Sequence, residues 1–271
     1  MLLLTPAFRV ASRLLGIVVL CWLLTLATAA ARPAPSHAAW TALLSRHVLA
    51  DGRVDYRGFR ADEDALAEYL EQLDETAPDP AAWSPNDIKA YWINAYNANV
   101  VSLVLQYYPL SSLTDTRIKS KATGSFSPWE APVVYAGGQT YSLNQVEKQF
   151  LQAAFRDARV HFALVQAAVS SPPLLNEAYE GARLEQQLEA QTRRFLNDPT
   201  YNQLTKPQPQ LSSLFDWYGA DFGTSQPALL AFVNRYAHAP LAAGTTFSFL
   251  PFDWHLNDRL PLSDSQALKK P

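Results

Sequence analysis

Ser84-Pro85-Asn86-Asp87-Ile88-Lys89-Ala90-Tyr91-Trp92-Ile93-Asn94-Ala95-Tyr96-Asn97-Ala98-Asn99-Val100-Val101, running on to Tyr107-Tyr108-Pro109, is the stretch on which the fold turns. Ser84 has the side chain of an N-cap, Pro85 suits the first helical position, and Asp87 supplies an acid to the first turn, so a helix starts here. Pro109 stops it after Tyr107. Apolar residues lie almost all round this helix rather than along one stripe, which predicts the buried, central element of the domain. The amides Asn94, Asn97 and Asn99 must then find partners in an apolar setting. Asn94 and Asn97 either line a binding site or bridge loops to the central helix.

The same reasoning extends outward in both directions. Val133-Val134-Tyr135, Ala136-Gly137-Gly138-Gln139 and Thr140-Tyr141 read as a β-hairpin whose glycines allow the positive φ of a tight turn. Ser142-Leu143-Asn144-Gln145 is a capping box that opens a helix to about Phe155. Caps and periodicity predict further helices over residues 38–49, 62–74, 183–197 and 226–236, and a late strand over Thr245–Phe252. The mixture predicts an α+β fold: a helix-rich single domain over residues 38–262 with a small antiparallel sheet. A sequence that is 48% hydrophobic and 12% aromatic, with no internal repeat, can fill one large core.

The first residues follow the basic, apolar, small-residue order of an export signal. Arg9 and Arg13 precede the run Leu14–Leu24, which leads to Ala27-Thr28-Ala29. The apolar run falls short of the ~20 residues of a membrane span. The expectation is a signal peptide over residues 1–29, a linker over 30–37 and a flexible tail over 263–271. Cleavage after Ala29 removes the single cysteine, Cys21, and leaves 242 of the 271 residues. The expected location is periplasmic or secreted, with no membrane span after cleavage and core burial rather than disulfides as the source of stability. Loss of Arg9 and Arg13 changes the net charge from −3 to −5, which argues against nucleic acid as a partner. The five histidines show no His-x-x-x-His spacing and no glycine-rich phosphate loop is present, so neither a metal nor another cofactor is expected.

Three residues have side chains suited to chemistry. Glu147 lies at the edge of a buried helix face, where it either pairs with an arginine such as Arg159 or serves a site. His161 opens the apolar run His161–Val169, and that run ends at Ser170-Ser171-Pro172-Pro173. The imidazole is either a hydrogen-bonded structural residue or a base. Glu147, His161 and Ser171 together are the acid, base and hydroxyl of nucleophilic acyl chemistry. Gln166, Asn94, Asn97 and Trp254 are further candidates for contacting a substrate. Asp216-Trp217-Tyr218, Asp221-Phe222 and Phe252-Asp253-Trp254-His255 combine aromatics with acids, as either a binding rim or capped core.

In their order, several motifs resemble the family called domain of unknown function 547. They are Asp51–Tyr56, Ala90–Ala98, Tyr141–Asn144 with Glu147, Arg159–Leu164, Pro172-Pro173-Leu174 and Asp253–Asn257, and the resemblance spans about residues 40–258. It implies a Glu-His-Cys site similar to that of permuted papain-like thiol hydrolases. Glu147 and His161 match it, Ser171 stands where the candidate catalytic Cys would be, and Gln166 stands where members often carry another Cys. A serine hydroxyl is far less acidic than a thiol of pKa ~8.5, so a site suited to a thiolate does not by itself activate Ser171. Three readings follow: a serine-type acyl or peptide hydrolase, a binding cleft that has lost catalysis, or a family whose two cysteines were structural. The favoured expectation is an exported envelope protein with a papain-like cleft that binds a peptide, peptidoglycan or another acyl-linked polymer with weak or no catalysis. The rival class is an interaction domain for an envelope protein.

Overall fold

A computed structural model describes residues 33–115 and 127–259 of the chain, all within the compact unit Pro33–Pro271. At its centre is the helix Pro85–Tyr107, entered through the expected capping box: Ser84 Oγ accepts from the Asp87 N–H at 3.1 Å and Asp87 Oδ2 accepts from the Ser84 N–H at 3.3 Å. Every residue from Lys89 to Val101 on this helix is buried. Helices Ala38–His47, Tyr56–Ala61 and Glu63–Asp74 cover one side, and their aromatics fill the interface, with Trp40 stacked on Tyr69 at 5.8 Å.

The hairpin forms as β1, Pro132–Ala136, and β2, Gln139–Ser142, paired antiparallel. Gly137 and Gly138 have φ of +60° and +70°, and a Cβ on Gly137 would meet that of Ala77 at 2.4 Å, so the turn requires glycine. The late strand is shorter than expected: β4 covers only Ser248–Leu250 and pairs in parallel with β3, Gln210–Ser212. The fold is therefore helix-rich α+β, with one antiparallel hairpin and one short parallel pair among the described residues.

Two apolar clusters organise the packing. The first surrounds the central helix; the second gathers Phe162, Phe195, Phe215 and Phe222 under the helices Leu184–Asn197 and Gln226–Tyr236. The 3₁₀ turn Ala158–Phe162 joins the two, because Val160, Ala163 and Leu164 belong to the first cluster and Phe162 to the second. His161 is thereby fixed where the clusters meet.

The domain begins a few residues before the expected boundary. His37 is buried with Nδ1 2.8 Å from the Tyr69 hydroxyl, and the Ser36 carbonyl accepts from Gln72 Nε2 at 2.9 Å. The expected signal peptide, residues 30–32 of the expected linker and the expected tail lie outside the described residues. Among the described residues no helix is long and apolar enough to cross a membrane.

Candidate functional site

Ser142 and Gln145 form the predicted capping box, but the helix they open changes pitch: Leu143–Gln145 is α-helical, Val146–Gln152 is π-helical and Ala153–Phe155 is α-helical again. A π turn joins residues five apart, so Glu147 and Gln152 come to lie one above the other. Gln152 Nε2 donates to Glu147 Oε1 at 3.2 Å. The carboxyl is only 4% exposed, and burial pushes it above the usual carboxylate range; hydrogen bonding from the Tyr218 hydroxyl and the nearby Lys148 oppose this, while Asp221 adds to it. Arg159, the partner considered from sequence, instead binds Asp157 through two nitrogens at 2.9 and 2.8 Å and reaches Glu185 at 2.7 Å.

His161 has a different acid from the one expected. Its Nε2 lies 2.7 Å from Asp221 Oδ2, and its ring stacks on Tyr218 with centroids 4.0 Å apart. Burial lowers the imidazole's pKa more than the Asp221 carboxylate raises it. A neutral ring donating Nε2–H to Asp221 leaves Nδ1 as a lone-pair acceptor, and this buried atom has no hydrogen-bond partner. Tyr218 thus stands between the two groups predicted to touch, with its ring on His161 and its hydroxyl toward Glu147. It sits between the short helices Leu214–Trp217 and Gly219–Phe222, and the second of these carries Asp221.

The structure does not assemble the acid-base-hydroxyl trio. Ser171 is 1% exposed; its Oγ accepts from the Gln166 N–H at 2.8 Å and donates to the Pro172 carbonyl at 3.0 Å, so it braces the turn from 166 to 171. Ser171 borders a separate recess, beside Gly52, Pro173 and Leu256. Asn94 and Asn97 require the same correction, because their amides pair with backbone. Asn94 donates to Tyr179 O at 2.8 Å and accepts from Tyr179 N at 3.0 Å, while Asn97 donates to Ala163 O at 2.9 Å and accepts from Val165 N at 3.1 Å. Neither borders the hollows beside Glu147 and His161.

Those hollows share wall residues and form one groove along the π-helical segment. The end beside His161 and Asp221 has a volume of about 520 Å³, and Arg156 and Asp157 also border it. The middle, about 500 Å³, is walled by Lys148, Gln152 and Tyr218. The other end, about 270 Å³, is bordered by Tyr96, Trp129, Glu147, Gln166, Trp217 and Trp254. Two of the sequence candidates, Gln166 and Trp254, are therefore on this wall. Trp217 stacks on Trp254 at 5.7 Å, and Trp129 meets Trp254 edge-on at 5.5 Å. Of the two positions at which the resemblance implies cysteine, 166 borders the groove, and it holds an amide without nucleophilic capacity. Among the described residues no group of three or more His, Cys, Asp or Glu could hold a metal ion.

Fold and site together define a helix-rich α+β domain with an imidazole–carboxylate pair at one end of an aromatic groove. Residues 80–196 match the family described as "Protein of unknown function, DUF547". No curated protein and no solved structure matches the chain. The matched stretch contains the central helix, Glu147, His161, Gln166 and Ser171. Trp217, Tyr218, Asp221 and Trp254, which complete the groove, follow it in the chain.

Proposed function

We propose that this chain is an exported envelope protein, periplasmic or secreted, whose groove binds an extended peptide or another acyl-linked polymer, with peptidoglycan as the leading candidate, and does not cleave it by serine chemistry. The groove is the counterpart, on this reading, of the papain-like cleft that the family resemblance implies. The observation that carries it is the state of Ser171: its proton is committed to the Pro172 carbonyl, and it makes no bond to His161. A base whose free nitrogen has no hydroxyl or thiol within hydrogen-bond reach cannot start acyl transfer by covalent attack. Large aromatic walls beside a few buried polar groups are the usual composition of a binding site for an apolar-faced, hydrogen-bonding ligand.

Co-sedimentation of the mature protein with insoluble peptidoglycan sacculi tests this, with Trp217→Ala as the control, since Trp217 is 46% exposed and its truncation spares the core. The expected result is saturable binding that Trp217→Ala weakens, with no soluble fragments by mass spectrometry. Release of fragments that ceases in Ser171→Ala would establish the hydrolase instead.

A further inference from the structure

The small end of the groove contains two buried polar atoms with no partner. The Tyr96 side chain is fully buried and its hydroxyl proton has no acceptor; the Trp129 indole N–H, itself only a donor, approaches the oxygen without completing a bond. Gln166 is 7% exposed, and its Oε1 accepts nothing, while its Nε2 makes a long contact of 3.4 Å to Leu164 O. A buried donor or acceptor left unsatisfied costs about 1–3 kcal/mol, so two at one recess call for an explanation. The main chain holds Gln166 in place: its N–H is bound by Ser171 Oγ, and the next residue, Ala167, has a φ of +53°. The Glu147 carboxylate, by contrast, already has Gln152 and Tyr218.

An orphan donor and an orphan acceptor beside one recess require a ligand group that both accepts and donates, and the indoles of Trp129, Trp217 and Trp254 require one with a flat or apolar body. We infer that this recess recognises a secondary amide, with Tyr96 O–H donating to its carbonyl and Gln166 Oε1 accepting its N–H while the indoles cover its apolar side. The chemistry is shared by a peptide bond and by the acetamido group of an N-acetylated sugar. This rests on the groove being a binding site, as proposed above, and specifies what it reads.

Isothermal titration and tryptophan fluorescence with small probes test it. The probes are N-acetyl-alanine methylamide, methyl N-acetylglucosaminide, an ester counterpart of the first in which oxygen replaces each N–H, and methyl glucoside, which lacks the acetamido group. Binding by one or both amides is expected, with the ester weaker by about three- to tenfold for the loss of one neutral hydrogen bond and the plain glucoside, which loses both, weaker by about tenfold or more; which amide binds identifies the source. Tyr96→Phe removes a hydroxyl whose proton has no acceptor, so it should fold with little loss of stability yet weaken the amide by a similar factor. In Gln166→Leu the preference for amide over ester should vanish, and that preference is a readout that a purely structural glutamine would not move. Equal binding of amide and non-amide probes would overturn the inference while leaving the groove as a binding site. No binding by any probe, together with no binding to sacculi, would overturn both readings.

Discussion

Asn97→Ala gives the sharpest test of how the central helix positions the groove. The Asn97 amide holds both sides of the loop that leads into Gln166, donating to Ala163 O and accepting from Val165 N, and the side chain is buried at 1% exposure. Alanine leaves one carbonyl and one N–H without partners in a setting closed to water. At about 1–3 kcal/mol for each unsatisfied group the loss is about 2–6 kcal/mol, with about 4 as the central value. With a urea slope near the upper end of ~1–3 kcal/mol per M, the unfolding midpoint should fall by about 0.7–2 M, with about 1.3 M as the central value. Equilibrium urea denaturation followed by tryptophan fluorescence measures this directly. An unchanged midpoint accompanied by lost ligand binding would refute the reasoning and return Asn97 to the set of residues that touch substrate.

Other consequences follow from the same geometry. Ser171→Ala should cost about 1–3 kcal/mol in urea unfolding, because the Gln166 N–H loses its acceptor; full stability would contradict the bracing role. Lys89 is buried and 2.9 Å from Asp157, whose carboxyl would be raised by burial but is held at about 2 by hydrogen bonds from Arg159 and Lys89. Asp157→Asn should therefore destabilise by about 3 kcal/mol or more, since the ammonium then faces only the more distant Glu185 carboxylate at 3.9 Å, and adding Lys89→Met should recover part of that in thermal unfolding; a further additive loss would be inconsistent with a poorly compensated ammonium. His37 is held down to about 4 by burial, with Asp87 opposing weakly. The unfolded chain takes up this proton first, so the contribution is complete above pH ~6.5 and is lost as the pH falls toward about 4, amounting to about 3 kcal/mol over that window. The stability difference between the wild type and His37→Gln should narrow by that amount on acidification, and parallel pH curves would rule it out.

How much was legible in the sequence depended on whether the controlling interactions were local. Ser84, Pro85 and Asp87 act within one turn, and the apolar surround of Ala90–Val101 gave away the buried central helix; Gly137 and Gly138 did the same for the hairpin. Glu147 and His161 could be singled out because an acid at a buried edge and an imidazole opening an apolar run each demand a partner. Their actual partners could not be read. Tyr218 and Asp221 are about sixty or more residues further on, and only tertiary packing brings them back. Asp216-Trp217-Tyr218 and Asp221-Phe222 stood out as aromatics beside acids, but nothing local distinguishes a groove wall from capped core.

The π-helical pitch at Val146–Gln152 was not legible either, since the capping box specifies where a helix starts and not how it is wound. Ser171 misled for the opposite reason. A hydroxyl ten residues after a histidine fits an acyl-transfer pattern, whereas in the folded chain the turn from 166 to 171 uses that same hydroxyl to bind its own backbone.

The central claim is that Ser171 is a structural hydroxyl outside the groove, and that the groove binds without serine chemistry. Intact-mass analysis of the folded mature protein after exposure to a fluorophosphonate probe tests it most directly, with Ser171→Ala as the control. The account predicts no adduct on the folded wild type. A single stoichiometric adduct that disappears in Ser171→Ala would contradict it.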